Sequence, residues 1–183
     1  TALKEISFPL DGTVYSASKI FRNCTSLEQV TLLATGNTFG LASNMFEGCT
    51  SLKTVILPDN LFWLANNAFL GCTALESITL PTGINTVQNS AFNGCTSLKS
   101  INIDSASLSF QTIDGSLYSK DGTELIRYAP GKTETAFTIP SSVTTIADGA
   151  FEGCANLTSV TIPAGVTTVE AGAFEGWPAA QTI

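Results

Sequence analysis

The sequence predicts a β-rich solenoid, a right-handed coil of about seven to eight turns with parallel strands on one face. Three observations predict it. A unit of 23 residues recurs along the 183-residue chain. Each unit has too few apolar positions to form a core alone, so the units must stack. Thr, Val and Ile dominate, and Pro or Gly interrupts each apolar run, which disfavours helices.

The cysteines mark the repeat, because each stands in nearly the same short word, as in Phe46-Glu-Gly-Cys-Thr-Ser-Leu52. Their spacings are 25, 23, 23 and 59 residues. The first spacing holds a two-residue insertion between Leu33 and Phe46, and the last holds one unit plus 36 further residues. The five positions are Cys24, Cys49, Cys72, Cys95 and Cys154.

Each unit begins with a short strand. In the unit that follows Cys72, Ile78 and Leu80 alternate and so share one face of an extended segment. Pro81 then ends the strand, where no ladder donor is needed. A second apolar pair, Ile84 and Val87, follows before the next Ala-Phe turn.

The pattern L-x-x-[VI]-x-[LI]-P, followed by two apolar positions and A-F-x-G-C, resembles the leucine-rich repeat of the BspA-like family, which is related to treponemal leucine-rich repeats. The resemblance covers nearly the whole chain. The sequence departs from it at Leu33 and Met45, which replace Pro and Ala, and at Trp177, which stands at a Cys position. The resemblance implies a leucine-rich-repeat fold and a cell-surface or secreted protein that mediates adhesion to host proteins or other cells.

We expect residues 1–183 to form a single solenoid, a fragment of a longer array, because Thr1 aligns directly after a Cys position. Residues 104–138 form an insert. Asp121-Gly122 lies between two alternating runs and predicts a β-hairpin there. We expect the insert to widen the solenoid without breaking it.

The charges exclude several functions. Eight Lys and Arg against 15 Asp and Glu give a net charge of −7, which argues against nucleic acid as a partner.

The chain has no His, its carboxylates are dispersed and nucleotide-binding motifs are missing, so we expect no enzyme activity, metal or cofactor. No apolar run is long enough for this segment to insert into a membrane.

The cysteines are interpreted as a structural ladder of small buried thiols. The odd count and the lack of a C-x-x-C pair disfavour a disulfide framework or a zinc site. Equivalent positions in stacked coils lie about 4.8 Å apart, so pairing between them stays geometrically open.

One candidate contact patch stands out. Counting back from each Cys places Phe39 and Phe62 in the same outward column, with Trp63 beside Phe62. The other units carry polar residues there, such as Asn85-Thr86. An exposed aromatic patch indicates a contact with a partner protein, a neighbouring domain or a second copy. Packing under the two-residue insertion is the competing explanation.

The sequence therefore predicts a non-catalytic surface or secreted protein that binds a protein partner, such as a host or extracellular matrix protein. The alternative is a structural spacer that presents another domain. The outward first-strand residues are mostly small and hydroxyl-bearing, which suits a spacer or a weak, extended contact.

Overall fold

The structure, a computed structural model, describes residues 3–10, 18–34, 36 and 39–177, with the side chains of Leu10, Ala34 and Phe39 left aside. Within these residues the chain forms short strands and turns and no helix. The strands are β1 (Glu5–Leu10), β2 (Gln29–Ala34), β3 (Phe39–Leu41), β4 (Thr54–Ile56), β5 (Leu61–Leu64), β6 (Ser77–Leu80), β7 (Thr86–Val87), β8 (Ser100–Ile103), β9 (Phe110–Ile113), β10 (Ser116–Ser119), β11 (Glu124–Arg127), β12 (Ala136–Thr138), β13 (Thr145–Ile146), β14 (Ser159–Thr161) and β15 (Thr168–Val169).

The first strands of successive coils pair in parallel, in the groups β1-β2-β4, β6-β8 and β12-β14. Their register is that of the repeat: Val30 lies opposite Val55, and Ile78 opposite Ile101. These residues point inward and are buried. The parallel β-solenoid of about seven turns is confirmed.

The core is a ladder of aromatic rings from the Ala-Phe turns. Phe21, Phe46, Phe69 and Phe92 stack nearly parallel, with centroids 5.3, 5.4 and 5.7 Å apart in turn. Tyr128 takes the Phe position in the coil that carries the insert, because its N–H donates to the Ala150 carbonyl as the Phe69 N–H does to that of Ala91. Tyr128 begins a second stack, in which Phe151 and Phe174 follow with centroid distances of 5.6 and 4.9 Å.

The extra residues form a three-stranded antiparallel unit. β10 pairs with β9 on one side and with β11 on the other. Residues 120–123, with Asp121-Gly122, join β10 to β11. A second turn at Asp114-Gly115 joins β9 to β10, with φ of 48° and 73° at its two residues. β12, although within 104–138, pairs with β14 as a first strand of the repeat.

The insert interrupts the strand ladders, as does the boundary between β4 and β6, but its coil stays bonded to both neighbours. The Gly131 N–H donates to the Leu98 carbonyl over 2.8 Å, and the Tyr128 N–H donates to the Ala150 carbonyl over 2.9 Å. Among the described strands, neither β8 nor β7 is hydrogen-bonded to the next strand of its own sheet. The physical reason is steric: the Asp114-Gly115 turn lies against β8, where the next first strand would otherwise pair. The buried apolar residues form two clusters, and the insert contributes to both, with Leu117 and Ile126 in one and Tyr118 and Leu125 in the other.

Candidate interaction surface

The cysteine column supplies hydrogen-bond donors to several coil boundaries. Three buried thiols donate to the carbonyl oxygen of the Phe in the preceding coil, whereas Cys154 Sγ lies 4.0 Å from the Glu152 carbonyl of its own turn. The Sγ–O distances are 2.9 Å from Cys49 to Phe21, 3.1 Å from Cys72 to Phe46 and 3.1 Å from Cys95 to Phe69. All five cysteines lie in the described part of the chain and are free thiols.

Burial makes these thiols poor nucleophiles. Desolvation raises the pKa of Cys49 to about 11 and the pKa values of Cys95 and Cys154 to about 12. It also raises the pKa of Cys72. Since the thiolate is the reactive form, the column has the chemistry of a structural element and not of a reactive centre.

Other donors take over where the repeat has no cysteine. Trp177 stands at the Cys position of the last described coil, and its Nε1 donates to the Phe151 carbonyl over 3.1 Å. In the insert coil, the Arg127 guanidinium reaches the carbonyls of Phe92 (3.5 Å), Glu152 (2.8 Å) and Gly149. Sequence reasoning missed Arg127, although it is a basic residue within an apolar run, where the repeat has Ala.

Arg127 is buried, and within the described residues it forms no ion pair with a carboxylate. Desolvation lowers its pKa, although an arginine keeps its charge at any ordinary pH. Three backbone carbonyls therefore solvate the cation. The side chain joins the coils on the two sides of the insert.

The candidate contact patch lies on β5. Leu61 and Leu64 are buried, while Phe62 and Trp63 are 43% and 38% exposed. The register pairs Phe39 with Leu61 and Gly40 with Trp63, so Phe62 is an extra residue in a β-bulge. Phe39 is thus not directly opposite Phe62 as the column count suggests, and its side chain lies outside the described residues.

Trp63 packs across the coil boundary onto Gly40. A Cβ atom on Gly40 would overlap the indole ring, so only glycine fits beneath it. Packing near the two-residue insertion therefore accounts for part of the Trp63 surface. The same contact fixes the ring in place and leaves its other face exposed.

We call the exposed pair on β5, Phe62 and Trp63, the coil 2–3 patch. Two further apolar side chains are exposed in the same coils, but on the first-strand sheet of β2 and β4. Leu33 and Ile56 are 47% and 50% exposed. Sequence reasoning noted that Leu33 replaces a proline, but it did not single out Leu33 and Ile56 as exposed apolar residues. The sequence carries a signal for Ile56, because the equivalent residues of the other coils are Ser, Thr or Asn.

Two negative findings apply to the described residues alone. No group of three or more Cys, Asp or Glu side chains in this part of the chain could hold a metal ion. No helix there has the length and apolar character needed to cross a bilayer.

Comparison with known proteins identifies the repeat. A family model described as "BspA type Leucine rich repeat region" matches in six copies, over residues 1–123 and 131–183. A leucine rich cell surface protein from Faecalibacterium prausnitzii is 30% identical, with a TM-score of 0.70 over 99% of this chain and 60% of its own. Comparison with curated protein sequences gave no significant match.

More distant structures share the fold. A leucine-rich repeat protein from Eubacterium ventriosum is 23% identical, with a TM-score of 0.73 over 96% of this chain and 52% of its own. The pneumococcal vaccine antigen PcpA is also 23% identical, with a TM-score of 0.65 over 91% of this chain and 46% of its own. The chain therefore spans about half the length of the solved structures it matches.

Proposed function

Because the chain belongs to the BspA-type leucine-rich repeat family, we propose that it is a non-catalytic binding module of a cell-surface or secreted protein. The likeness to a bacterial leucine rich cell surface protein supports the location. The buried, protonated thiols and the dispersed carboxylates supply no reactive group, which supports a role in binding.

The observation that carries the proposal is the exposure of Phe62 and Trp63, where other coils have Asn or Thr. Aromatic side chains dominate the energetics of protein interfaces, and an apolar patch in a polar surround is typical of a contact site. Trp63 is already fixed against Gly40, so binding would cost little side-chain entropy there.

The surrounding charge favours a particular kind of partner. The chain carries a net charge of −7, and Asp59 stands shortly before the exposed Phe62 in the chain. Two copies meeting through this patch would bring like charges together. A partner with an apolar centre and a basic rim, such as a host or extracellular matrix protein, fits better.

The test is binding to a panel of purified extracellular matrix proteins by the wild type and by the Phe62→Ser/Trp63→Ser double variant. We expect the double variant to bind at least about tenfold more weakly than the wild type. The matched control is Thr167→Ser/Thr168→Ser, which changes the equivalent strand of a distant coil and should bind as the wild type does.

The same experiment separates the binding module from the structural spacer. If the chain is a spacer, the wild type and both double variants should retain no matrix protein above background. Equal binding by the wild type and the Phe62→Ser/Trp63→Ser variant would exclude the coil 2–3 patch as the contact.

A further inference from the structure

A shallow depression of about 290 Å³ opens beside Trp63, on the sheet that β3, β5 and β7 form. Its volume is near the lower end of the range that small-molecule sites occupy in proteins. The residues that line it combine one aromatic ring with neutral side chains: Ser43, Trp63, Ala65, Asn66, Thr86 and Gln88.

The indole of Trp63 is the apolar wall of the depression. It lies over Gly40, where a Cβ atom would overlap the ring, so the packing of the two coils fixes the indole in position. The residue is nevertheless 38% exposed. A flat apolar surface is therefore already in place beside the polar groups, and a ligand would lose little affinity in ordering it.

The polar side chains of the depression have hydrogen-bonding groups that the fold does not use. Asn66 Oδ1 accepts from Ser90 Oγ over 3.1 Å, which orients the amide and leaves Asn66 Nδ2 without a partner among the described residues. The Gln88 amide and the Ser43 hydroxyl likewise form no hydrogen bond within this part of the chain. Asn66 and Gln88 are both exposed. Their amides can therefore donate to a ligand and accept from it.

Charge distinguishes this depression from the one of about 370 Å³ beside β8. That depression is lined by two lysines and two acidic residues: Lys99, Asp114, Lys132 and Glu134. The depression beside Trp63 has no charged side chain in its lining. It offers no counter-charge to an anion or a cation, so it suits a neutral polar ligand.

A neutral sugar ring matches both features of the lining. A pyranose presents C–H groups on its faces and hydroxyls around its rim, so it needs a flat apolar surface bordered by donors and acceptors. The Trp63 ring supplies the first, and side-chain amides and hydroxyls supply the second. A purely apolar ligand would cover the Asn66 and Gln88 amides without bonding to them, which weakens binding.

The platform depends on two matched departures from the repeat. The ladder aligns Trp63 with Gly40 on one side and with Thr86 on the other, and further coils carry Thr145 and Thr168 in this column. A threonine in place of Gly40 would displace the indole, because even a Cβ atom overlaps it. The aromatic wall therefore requires the Gly-Trp pair and not the tryptophan alone.

We propose that this depression binds a neutral saccharide, with a sugar ring stacked on Trp63 and its hydroxyls bonded to Asn66 and Gln88. Because the site is shallow and open, we expect a Kd on the order of 1 mM. The proposal goes beyond the protein contact of the coil 2–3 patch. Trp63 belongs to both sites, but Phe62 does not line the depression, so each site has residues of its own.

The probes are lactose, chitobiose and cellobiose, which present galactose, N-acetylglucosamine and glucose. Each is added at up to about 10 mM to the isotopically labelled whole chain, and the indole N–H signals of its two tryptophans are followed by NMR. We expect at least one saccharide to shift the Trp63 signal and to leave that of Trp177, in the last described coil, unchanged. Trp63→Phe assigns the two signals.

A double variant tests the polar rim of the depression. Asn66→Ala/Gln88→Ala removes two exposed amides and should weaken saccharide binding about tenfold, because their hydrogen bonds to the sugar are lost. The matched control is Asn102→Ala, which removes an exposed amide from the first-strand sheet and should bind the saccharide as the wild type does.

Three outcomes overturn the proposal. One is no shift of the Trp63 signal with any of the three saccharides. Another is unchanged affinity in the Asn66→Ala/Gln88→Ala variant. The third is tighter binding of sialyllactose than of lactose, because the site would then prefer an anion.

The saccharide site and the protein contact can fail separately. Matrix proteins stripped of their glycans by glycosidases test the contact alone, since they carry no sugar. Equal binding of these proteins by the wild type and by Phe62→Ser/Trp63→Ser would contradict the protein contact, whatever the saccharides do. Loss of the Trp63 shift would overturn the saccharide site, whatever the matrix proteins do.

Discussion

At the scale of single residues, the cysteine column is best understood as a donor to the neighbouring coil. The thiols of Cys49, Cys72 and Cys95 make the same bond to the preceding Phe carbonyl. Trp177 makes it with a different donor atom, so the bond does not depend on the sulfur.

Thiol titration checks this interpretation. We expect five free thiols after denaturation without reductant, as the free cysteines of the structure require. In the folded protein only Cys24, which is partly exposed, should react rapidly with Ellman's reagent. Fewer than five thiols would show that disulfides pair neighbouring coils.

The raised thiol pKa values also predict how stability depends on pH. An unfolded thiol ionises near 9.0, whereas folded Cys49 and Cys95 stay protonated to about 11 and 12. The folded state then binds more protons than the unfolded state, so the free energy of unfolding falls as pH rises above about 9. Each thiol contributes a slope of about 1.4 kcal/mol per pH unit.

Urea unfolding at pH 8, 9.5 and 10.5 measures this slope. A Cys49→Ala/Cys95→Ala variant should show a shallower decline than the wild type, because two of the titrating groups are gone. The tyrosines titrate in the same direction, but they are present in both proteins, so their contribution cancels when the two pH profiles are compared. Parallel pH profiles would argue against protonated, buried thiols.

At the scale of elements, a buried charged side chain ties the insert to the coils on both sides of it. Arg127, at the end of β11, donates to carbonyls of the coils before and after the insert. It takes the place of a thiol that the insert coil lacks, since Gly131 stands at the Cys position.

We expect Arg127→Met to lower the free energy of unfolding by about 2–4 kcal/mol, because buried carbonyl oxygens lose their donor. Arg127→Lys keeps the charge but has fewer donors, so its free energy of unfolding should lie between those of the wild type and Arg127→Met. Urea unfolding followed by circular dichroism measures both. A Met variant as stable as the wild type would mean that the cost of burying the guanidinium offsets its hydrogen bonds.

The elements also show what the sequence could predict. Alternation of apolar residues determines the first strands, so the register of Ile78 with Ile101 follows from the 23-residue spacing. The Asp121-Gly122 turn has a local signal of its own. The bulge at Phe62 and the pairing of β9 have no such local signal, because they depend on contacts with Gly40 and with β10.

At the scale of the whole molecule, the repeat specifies the interior and the exceptions to it determine the surface. The inward columns are nearly the same in every coil, so the fold could be predicted with little ambiguity. The coil 2–3 patch lies where a unit departs from the pattern. Side-chain exposure at such places depends on the neighbouring coils, which a column count describes only approximately.

Photocrosslinking tests the central claim, that the coil 2–3 patch is the protein contact, most directly. Phe62 is replaced by the photoreactive analogue p-benzoylphenylalanine, and Thr167, the equivalent position of a distant coil, is replaced in a control protein. Each is irradiated with the extracellular matrix panel. We predict a crosslinked partner from position 62 and none from position 167. Equal crosslinking from both positions, or none from position 62, would contradict the claim.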